Sequence, residues 1–143
     1  MISEKDVIKV LMPFPDVNSD LALIRHYYIC HSNNQNNKVL FKCQTHKATM
    51  IAKCGGNKKY RENYYLIRAG NQVPFVRNTV VDKKQIFALN NTMIPKKYLS
   101  PEKPSNIPEQ IYGDIVKEII TDSNPALRTI NKEKFIELNT ECQ

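Results

Sequence analysis

Two apolar runs separated by an asparagine-rich segment constrain the fold of this chain most strongly. Residues 22–31 are rich in Ile, Leu and Tyr, and residues 38–45 have the sequence Lys-Val-Leu-Phe-Lys-Cys-Gln-Thr. The segment 32–37 between them is Ser-Asn-Asn-Gln-Asn-Asn, and Asn favours turns because it tolerates left-handed backbone. Strand-like runs joined by such a segment are typical of a β-hairpin. We therefore predict an antiparallel hairpin whose turn is centred near Gln35.

Most of the remaining first two-thirds of the chain also predicts strands. Short runs of β-branched and aromatic residues, bounded by Pro, Gly or Asn, occur at 6–12, 64–68, 78–82 and 85–89. Gly70-Asn71 is predicted to close the run that ends at residue 68. Residues 53–63 contain Gly55-Gly56 and many charges, and this composition predicts a loop. Residues 95–99, which begin with Pro, predict a short helical turn.

The C-terminal third has helical periodicity. Ile111, Ile115 and Ile119 recur every four residues, so they lie on one face of a helix. Pro108 suits the first turn of that helix, since its fixed φ is already helical. The pattern predicts a helix over 107–121.

Together these patterns predict one domain over residues 1–143, since this length fits a single hydrophobic core. The fold class is mainly β with a C-terminal helix. Residues 6–99 are expected to form a small closed or half-closed barrel, and the helix at 107–121 to cover an open side of it. The tail, 122–143, contains a pattern for a shorter helix near 132–138.

The charge balance favours a polyanionic partner. The chain has 21 Lys and Arg against 14 Asp and Glu, a net charge of +7. Such an excess is typical of proteins that bind nucleic acid or an anionic membrane surface, although many small proteins are basic only for solubility. No apolar run approaches the roughly 18 residues that a membrane span needs, so we expect no membrane partner.

The cysteines and the N-terminus predict the compartment. None of the four cysteines, Cys30, Cys43, Cys54 and Cys142, forms a Cys-x-x-Cys pair. Residues 1–9 lack the pattern of a signal peptide. We therefore expect a cytoplasmic protein with reduced thiols.

The predicted hairpin brings an arginine and a hydroxyl together. With the turn centred near Gln35, residue 25 pairs with residues 45 to 47, so Arg25 and Thr45 lie at the same end of the hairpin. Opposite Cβ atoms in such a ladder are about 5 Å apart. A guanidinium offers a planar fork of donors that matches phosphate oxygens, and a hydroxyl can bind the same phosphate. The alternative is that Arg25 is a solvated charge and Thr45 only a good strand former.

Such a pair suits the cleavage of RNA. A guanidinium can stabilise the negative charge that grows on the phosphate in the transition state. If the attacking group is the neighbouring ribose 2′-hydroxyl, no metal is required, and RNA rather than DNA is cut. We therefore expect Arg25 and Thr45 to be the candidate catalytic residues and expect no cofactor.

Further polar residues suggest additional sites. A basic stretch with one interleaved Tyr could follow an RNA backbone, with the ring stacked on a base, unless it is simply a solvated loop. Its members are Lys47, Lys53, Lys58, Lys59, Tyr60 and Arg61. A zinc site is a weaker alternative, since the spacing of the Cys and His residues, Cys30, His31, Cys43, His46 and Cys54, matches no common finger pattern, and Cys30 and Cys43 could face each other across the hairpin. We interpret His26 and His31 as surface or partner-contact residues.

The order of these pieces resembles the MazF/PemK family of toxins. Asp6-Val7-Ile8-Lys9-Val10 followed by Pro13-Phe14-Pro15-Asp16 resembles the first strand of that family and its exit. The runs at 23–30 and 38–45 resemble its second and third strands, where the family has a functional Arg and a functional Ser or Thr. Residues 78–89, 94–99 and the helix from Ile107 resemble its later strands and closing helices.

The resemblance implies a compact SH3-like barrel, commonly a homodimer. It further implies a metal-independent endoribonuclease that leaves a cyclic phosphate and a 5′-hydroxyl, and an antitoxin protein that covers the RNA groove. Arg25 then binds the phosphate and acts as the acid, and Thr45 is its partner hydroxyl. The alternative is a barrel that binds nucleic acid or a protein partner without catalysis, because His26 stands where the family has Pro and the segment before Arg25 is not Gly-rich.

Overall fold

The computed structural model describes residues 1–70 and 72–143, without the side chain of Asn33. Asn71, which was predicted to belong to a closing turn, lies outside the described residues. The strands are β1 Val7–Val10, β2 His26–Asn34, β3 Asn37–Thr45, β4 Tyr64–Ile67, β5 Thr79–Asp82, β6 Gln85–Leu89 and β7 Ala126–Thr129. The helices are α1 Asp20–Leu23, α2 Thr49–Cys54, α3 Asn57–Asn63, α4 Glu109–Val116 and α5 Lys132–Leu138, with a 3₁₀ turn at Lys96–Tyr98 and a π turn at Lys117–Thr121.

The seven strands form one mixed sheet. Its order is β1-β2-β3-β5-β4, and β6 pairs both with β3 and with β7. All pairings are antiparallel except that of β6 with β7. The mainly β fold with a C-terminal helix is therefore confirmed. Among the described residues no pairing joins β1 to β4 or β7, so the sheet is open and the expected closed form of the barrel is not formed.

The hairpin was predicted correctly. Strands β2 and β3 are joined by Gln35 and Asn36, whose φ angles are 51° and 68°. Positive φ at both central residues is what a type I′ turn requires, and this turn matches the twist of the flanking strands. Tyr27 pairs with Cys43, and Asn34 with Asn37. The same ladder continued by two residues sets position 25 opposite Thr45, within the predicted register.

The sheet is buried on both faces. Neighbouring residues of β3 belong to different apolar clusters: Leu40 packs with the first and Phe41 with the second. Phe135 of α5 belongs to the first cluster and Ile115 of α4 to the second, so one helix covers each face. Burial on both faces explains why apolar residues stand next to each other in the strands, as Leu40 and Phe41 do in β3 and Val80 and Val81 in β5.

The prediction of a loop for residues 53–63 is wrong. Two short helices, α2 and α3, occupy this region and are joined by Gly55 and Gly56, whose φ angles are 91° and 119°. Gly55 is the left-handed C-cap of α2, a position that favours Gly because it has no Cβ. The two glycines therefore mark a joint between helices.

Of the other elements, one strand begins later than predicted, two helices are confirmed and one strand was not predicted. The strand expected from residue 22 begins at His26, because Asp20–Leu23 form a helical turn. The helix expected over 107–121 is confirmed as α4 and the π turn that follows it, and the helix near 132–138 is confirmed as α5. Strand β7 was missed, since all four of its residues are exposed and leave no apolar pattern.

A membrane-spanning helix would need a longer and more apolar segment than any helix in the described part of the chain provides.

The turn gives a direct test of the hairpin register. The double substitution Gln35→Asn with Asn36→Gly is expected to raise the free energy of unfolding by about 1 kcal/mol, because Asn-Gly adopts the two left-handed conformations at lower cost. Asn36→Val is expected to lower it by about 1–2 kcal/mol, since a β-branched residue is strained there. Urea unfolding of the three proteins measures both effects. A valine variant as stable as the parent would contradict this turn.

Candidate nucleic-acid interface

Several strands bring cations to one end of the sheet. Val10 pairs with His26, Thr45 with Thr79, and Thr79 with Ile67, so β1, β3 and β4 end where β2 and β5 begin. We call this region the basic end of the sheet, and define it by Lys9, Arg25, Lys47, Arg68 and Arg77. All of these side chains are exposed except Lys9, which is half-buried. None takes part in the four ion pairs found among the described residues, so their charges are free to attract an anion.

Arg25 and Thr45 line one groove at this end. The groove has a volume of about 340 Å³, and Lys9, Tyr27 and Lys47 line it with them. We call it the hairpin groove. Arg25 and Thr45 are both exposed. The structure therefore brings the two predicted catalytic residues to a common open surface, with Arg25 directly before β2 and Thr45 at the end of β3.

A carboxylate that sequence reasoning missed stands beside Thr45. Glu102 lines a small cavity of about 60 Å³ together with Thr45 and Arg77. Its carboxylate accepts hydrogen bonds from the Tyr27 hydroxyl at 2.8 Å and from the Ser100 hydroxyl at 2.6 Å. These two bonds hold the carboxylate in one orientation in the cavity that it shares with Thr45.

The surroundings of Glu102 favour its charged form. Burial raises the pKa of the carboxyl, but the hydrogen bonds from Ser100 and Tyr27 outweigh burial and leave the pKa below its ordinary value. Burial and the bond to Glu102 raise the pKa of Tyr27 to about 12, so its hydroxyl keeps its proton and remains a donor. At neutral pH the pair is therefore a carboxylate bound by a neutral phenol.

Tyr27 also joins the groove to the core. Its ring lies 5.6 Å from that of Phe75 in an edge-to-face arrangement, and the Lys9 ammonium lies 5.3 Å from its centroid. Contacts of both kinds stabilise a fixed ring position. The groove wall is consequently rigid on the side of Tyr27, where a ligand would contact the ring and the ammonium together.

The two histidines differ from their interpretation as surface residues. His31 is half-buried, its ring stacks on Phe41 at 5.0 Å, and its Nδ1 lies 2.9 Å from the Tyr112 hydroxyl, so its role is in packing. His26 lines the hairpin groove, but its Nε2 is buried without a hydrogen-bond partner among the described residues. Burial and, secondly, the charge of Lys42 lower the pKa of His26 and favour the neutral ring.

The predicted basic stretch divides over different surfaces. Lys47 lies in the hairpin groove, whereas Lys58 and Arg61 line a separate cavity of about 440 Å³. Lys53 on α2 and Lys59 on α3 are exposed. Tyr60, which was predicted to stack on a base, is only 6% exposed, and its hydroxyl lies 2.9 Å from Nδ1 of His46, so it offers little surface to a ligand.

The zinc alternative has no support in the geometry. Cys30 and Cys43 belong to the clusters on opposite faces of the sheet, so they do not face each other across the hairpin. Within residues 1–70 and 72–143, no group of three or more Cys, His, Asp or Glu side chains could hold a metal ion. All four cysteines are unpaired, and three of them are buried.

Comparison of the chain with protein-family models, with curated proteins and with solved structures found no match in any of the three. The resemblance to the MazF/PemK toxins therefore rests on the sequence pattern alone.

The contacts of Glu102 predict a pH-dependent stability. Because its pKa is lowered in the folded protein, the stabilisation is present at neutral pH and is lost as the pH falls through the folded pKa. Glu102→Gln is expected to lower the free energy of unfolding at pH 7 by about 1 kcal/mol, the typical net value of a hydrogen bond. At pH 3 the difference from the parent should shrink. Urea unfolding at both pH values measures it, and an equal difference at the two would contradict the charged form.

Proposed function

We propose that this chain is a metal-independent endoribonuclease of the MazF/PemK type that cleaves single-stranded RNA. The observation that carries the proposal is the hairpin groove, which an exposed guanidinium and an exposed hydroxyl line together at the basic end of the sheet. The groove is open, so an extended strand can enter it. Its cations have no ion-pair partner among the described residues, which leaves them available to phosphates.

The proposed reaction uses the RNA itself as nucleophile. The 2′-oxygen attacks the adjacent phosphorus, the bond from phosphorus to the 5′-oxygen breaks, and the products are a cyclic phosphate and a 5′-hydroxyl. Arg25 binds the non-bridging oxygens with its fork of donors and stabilises the charge that develops on them. Thr45 holds the same phosphate by a hydrogen bond from its hydroxyl.

Two protons must move in this reaction. Glu102 is the carboxylate of the cavity that contains Thr45, and we assign to it the proton that leaves the 2′-hydroxyl. The 5′-oxygen needs a proton as it departs, and the resemblance gives this role to Arg25. The hydrogen bonds from Tyr27 and Ser100 keep Glu102 ionised before the reaction and fix its orientation in the cavity that it shares with Thr45.

An SH3-like barrel, a homodimer and an antitoxin partner belong to the same proposal. Three large apolar side chains near the hairpin groove support a protein contact there: Leu23 is 66% exposed, Ile24 is 59% exposed and Val76 is 80% exposed. Ile24 lines the hairpin groove itself, and Val76 lines the cavity of Glu102. A partner that buried them would also cover Arg25, as an antitoxin of this family would.

Arg25→Ala tests the proposed mechanism. We expect the variant to cleave single-stranded RNA about 100- to 1000-fold more slowly, which is the usual effect of removing one donor that stabilises a transition state. Thr45→Ala and Glu102→Gln should also slow cleavage, while Lys134→Ala, an exposed cation on α5, should cleave like the parent. Gel assays with end-labelled RNA measure the rates.

The cleavage products and a modified substrate give a further test of the proposed mechanism. Cleavage should leave a 2′,3′-cyclic phosphate, and a 2′-deoxy substitution at the cut site should abolish it. Equal rates for the parent and Arg25→Ala would remove Arg25 from the mechanism. A parent protein that binds RNA in a salt-dependent manner and never cleaves it would favour the non-catalytic alternative.

A further inference from the structure

A second groove follows the outer edge of the sheet. It runs along β4, which among the described strands pairs with β5 alone, and lies between α3 and the π turn. Its volume is about 380 Å³. We call it the β4 groove, and the lining residues that matter here are Arg61, Tyr64, Tyr65, Arg68, Lys83 and Glu118.

Among the residues that line the β4 groove, positive charges outnumber negative ones, although the carboxylates of Asp82 and Asp114 lie near Tyr64 and Tyr65. The Lys83 ammonium donates to the Glu118 carboxylate at 2.6 Å and to the Arg61 carbonyl at 2.7 Å, so these two charges cancel. Arg61 and Arg68 are exposed, and neither takes part in an ion pair among the described residues. Two guanidiniums therefore remain for an anionic ligand, and phosphate is the anion that their planar forks match.

The same groove contains aromatic rings that are neither buried nor fully solvated. Tyr64 and Tyr65 are half-buried. The Tyr64 ring packs against the Tyr60 ring in a tilted arrangement, at 5.8 Å between centroids, and its hydroxyl accepts a hydrogen bond from Gln44 at 3.5 Å. A supported ring beside free guanidiniums is the arrangement by which proteins hold single-stranded nucleic acid without reading its sequence.

The β4 groove reaches the basic end of the sheet at Arg68, where Arg25 lines the hairpin groove. Position 25 stands opposite Thr45, Thr45 pairs with Thr79, and Thr79 pairs with Ile67, the residue before Arg68. Neighbouring strands are about 4.8 Å apart, so three strand spacings separate Arg25 from Arg68 by about 14 Å. Arg77, two residues before β5, is exposed between them. The sheet end therefore carries a row of three arginines, which crosses the strands.

We propose that the β4 groove binds a further nucleotide of the same RNA strand whose scissile phosphate lies in the hairpin groove. The role of the hairpin groove in this statement rests on the proposed function. The strand crosses the basic end of the sheet past Arg77, its phosphates contact Arg61 and Arg68, and one base stacks on Tyr64. Stacking and phosphate contacts are independent of base identity, so this site adds affinity and favours single-stranded RNA.

Equilibrium binding tests the proposal without cleavage. The probe is a fluorescent single-stranded RNA of about ten nucleotides whose 2′-hydroxyls are methylated, which removes the nucleophile. We expect Arg61→Ala with Arg68→Ala to weaken binding at least tenfold, and to reduce the slope of log affinity against log salt by about 1.4 for two lost phosphate contacts. The charge-matched control is Lys96→Ala with Lys134→Ala, two exposed cations outside both grooves, which should bind like the parent.

A matched pair of variants tests the proposed stacking of a base on Tyr64. Tyr64→Leu should weaken binding about tenfold, whereas Tyr64→Phe keeps the ring and should stay within twofold of the parent. Thermal unfolding of each variant verifies that it is folded. Equal affinity and salt slope for the double arginine variant and its control would overturn the proposal, as would equal affinity for the Leu and Phe variants.

Failure of this proposal and failure of the proposed function give different results. A parent protein that cleaves RNA, with binding that does not depend on Arg61 and Arg68, supports the proposed function and contradicts the proposed role of the β4 groove. A parent protein that does not cleave RNA, with binding that depends on both arginines, contradicts the nuclease proposal and supports the β4 groove as an RNA-binding site.

Discussion

The antiparallel pairing of β2 with β3 is the interaction on which the rest of the structure depends. It sets Arg25 against Thr45, and β3 also carries β5 and β6 on its other side. A shift of one residue would move Phe41 from one buried cluster toward the other and expose apolar side chains that are now covered. The free energy of burying both faces therefore enforces the register. The position of the candidate catalytic pair follows from core packing and needs no dedicated interaction between the two side chains.

Burial of both faces also decides where a ligand can bind. The helices α4 and α5 cover the broad surfaces, so a nucleic acid can contact only the sheet ends and free edges. The cations of the basic end stand where strands begin or stop, at positions that the core does not use. The chain thus separates the residues that fold it from the residues that are free to bind, and a substitution at Arg25 or Arg77 has little packing to disturb.

Local sequence predicted the parts of the fold that local physics determines. The hairpin was predicted because the asparagine-rich segment 32–37 suits a left-handed turn, and α4 because its isoleucines recur at helical spacing. Gly55 and Gly56 were wrongly interpreted as part of a loop. Glycine is common both in loops and at helix C-caps, so the residue type alone does not distinguish the two. Glu102 was missed because its contact with Tyr27 spans 75 residues and leaves no pattern in either segment. The sequence therefore predicted only part of the candidate site. Arg25 and Thr45 were predicted because they belong to one hairpin, whereas their neighbours are brought close by the tertiary fold.

The lysines and arginines divide into two groups according to their partners. Lys38 is 1% exposed and donates to the Thr92 carbonyl at 2.5 Å, and Lys83 is 7% exposed and is held by Glu118. Burying an ammonium is tolerated only with such partners, so these two charges belong to the fold. Arg25 and Arg68 have no acidic partner among the described residues and stay in water, where they add little to stability. Positive charge that adds little to folding and lies at one sheet end is what the proposed RNA ligand requires, whereas scattered cations would serve solubility equally well.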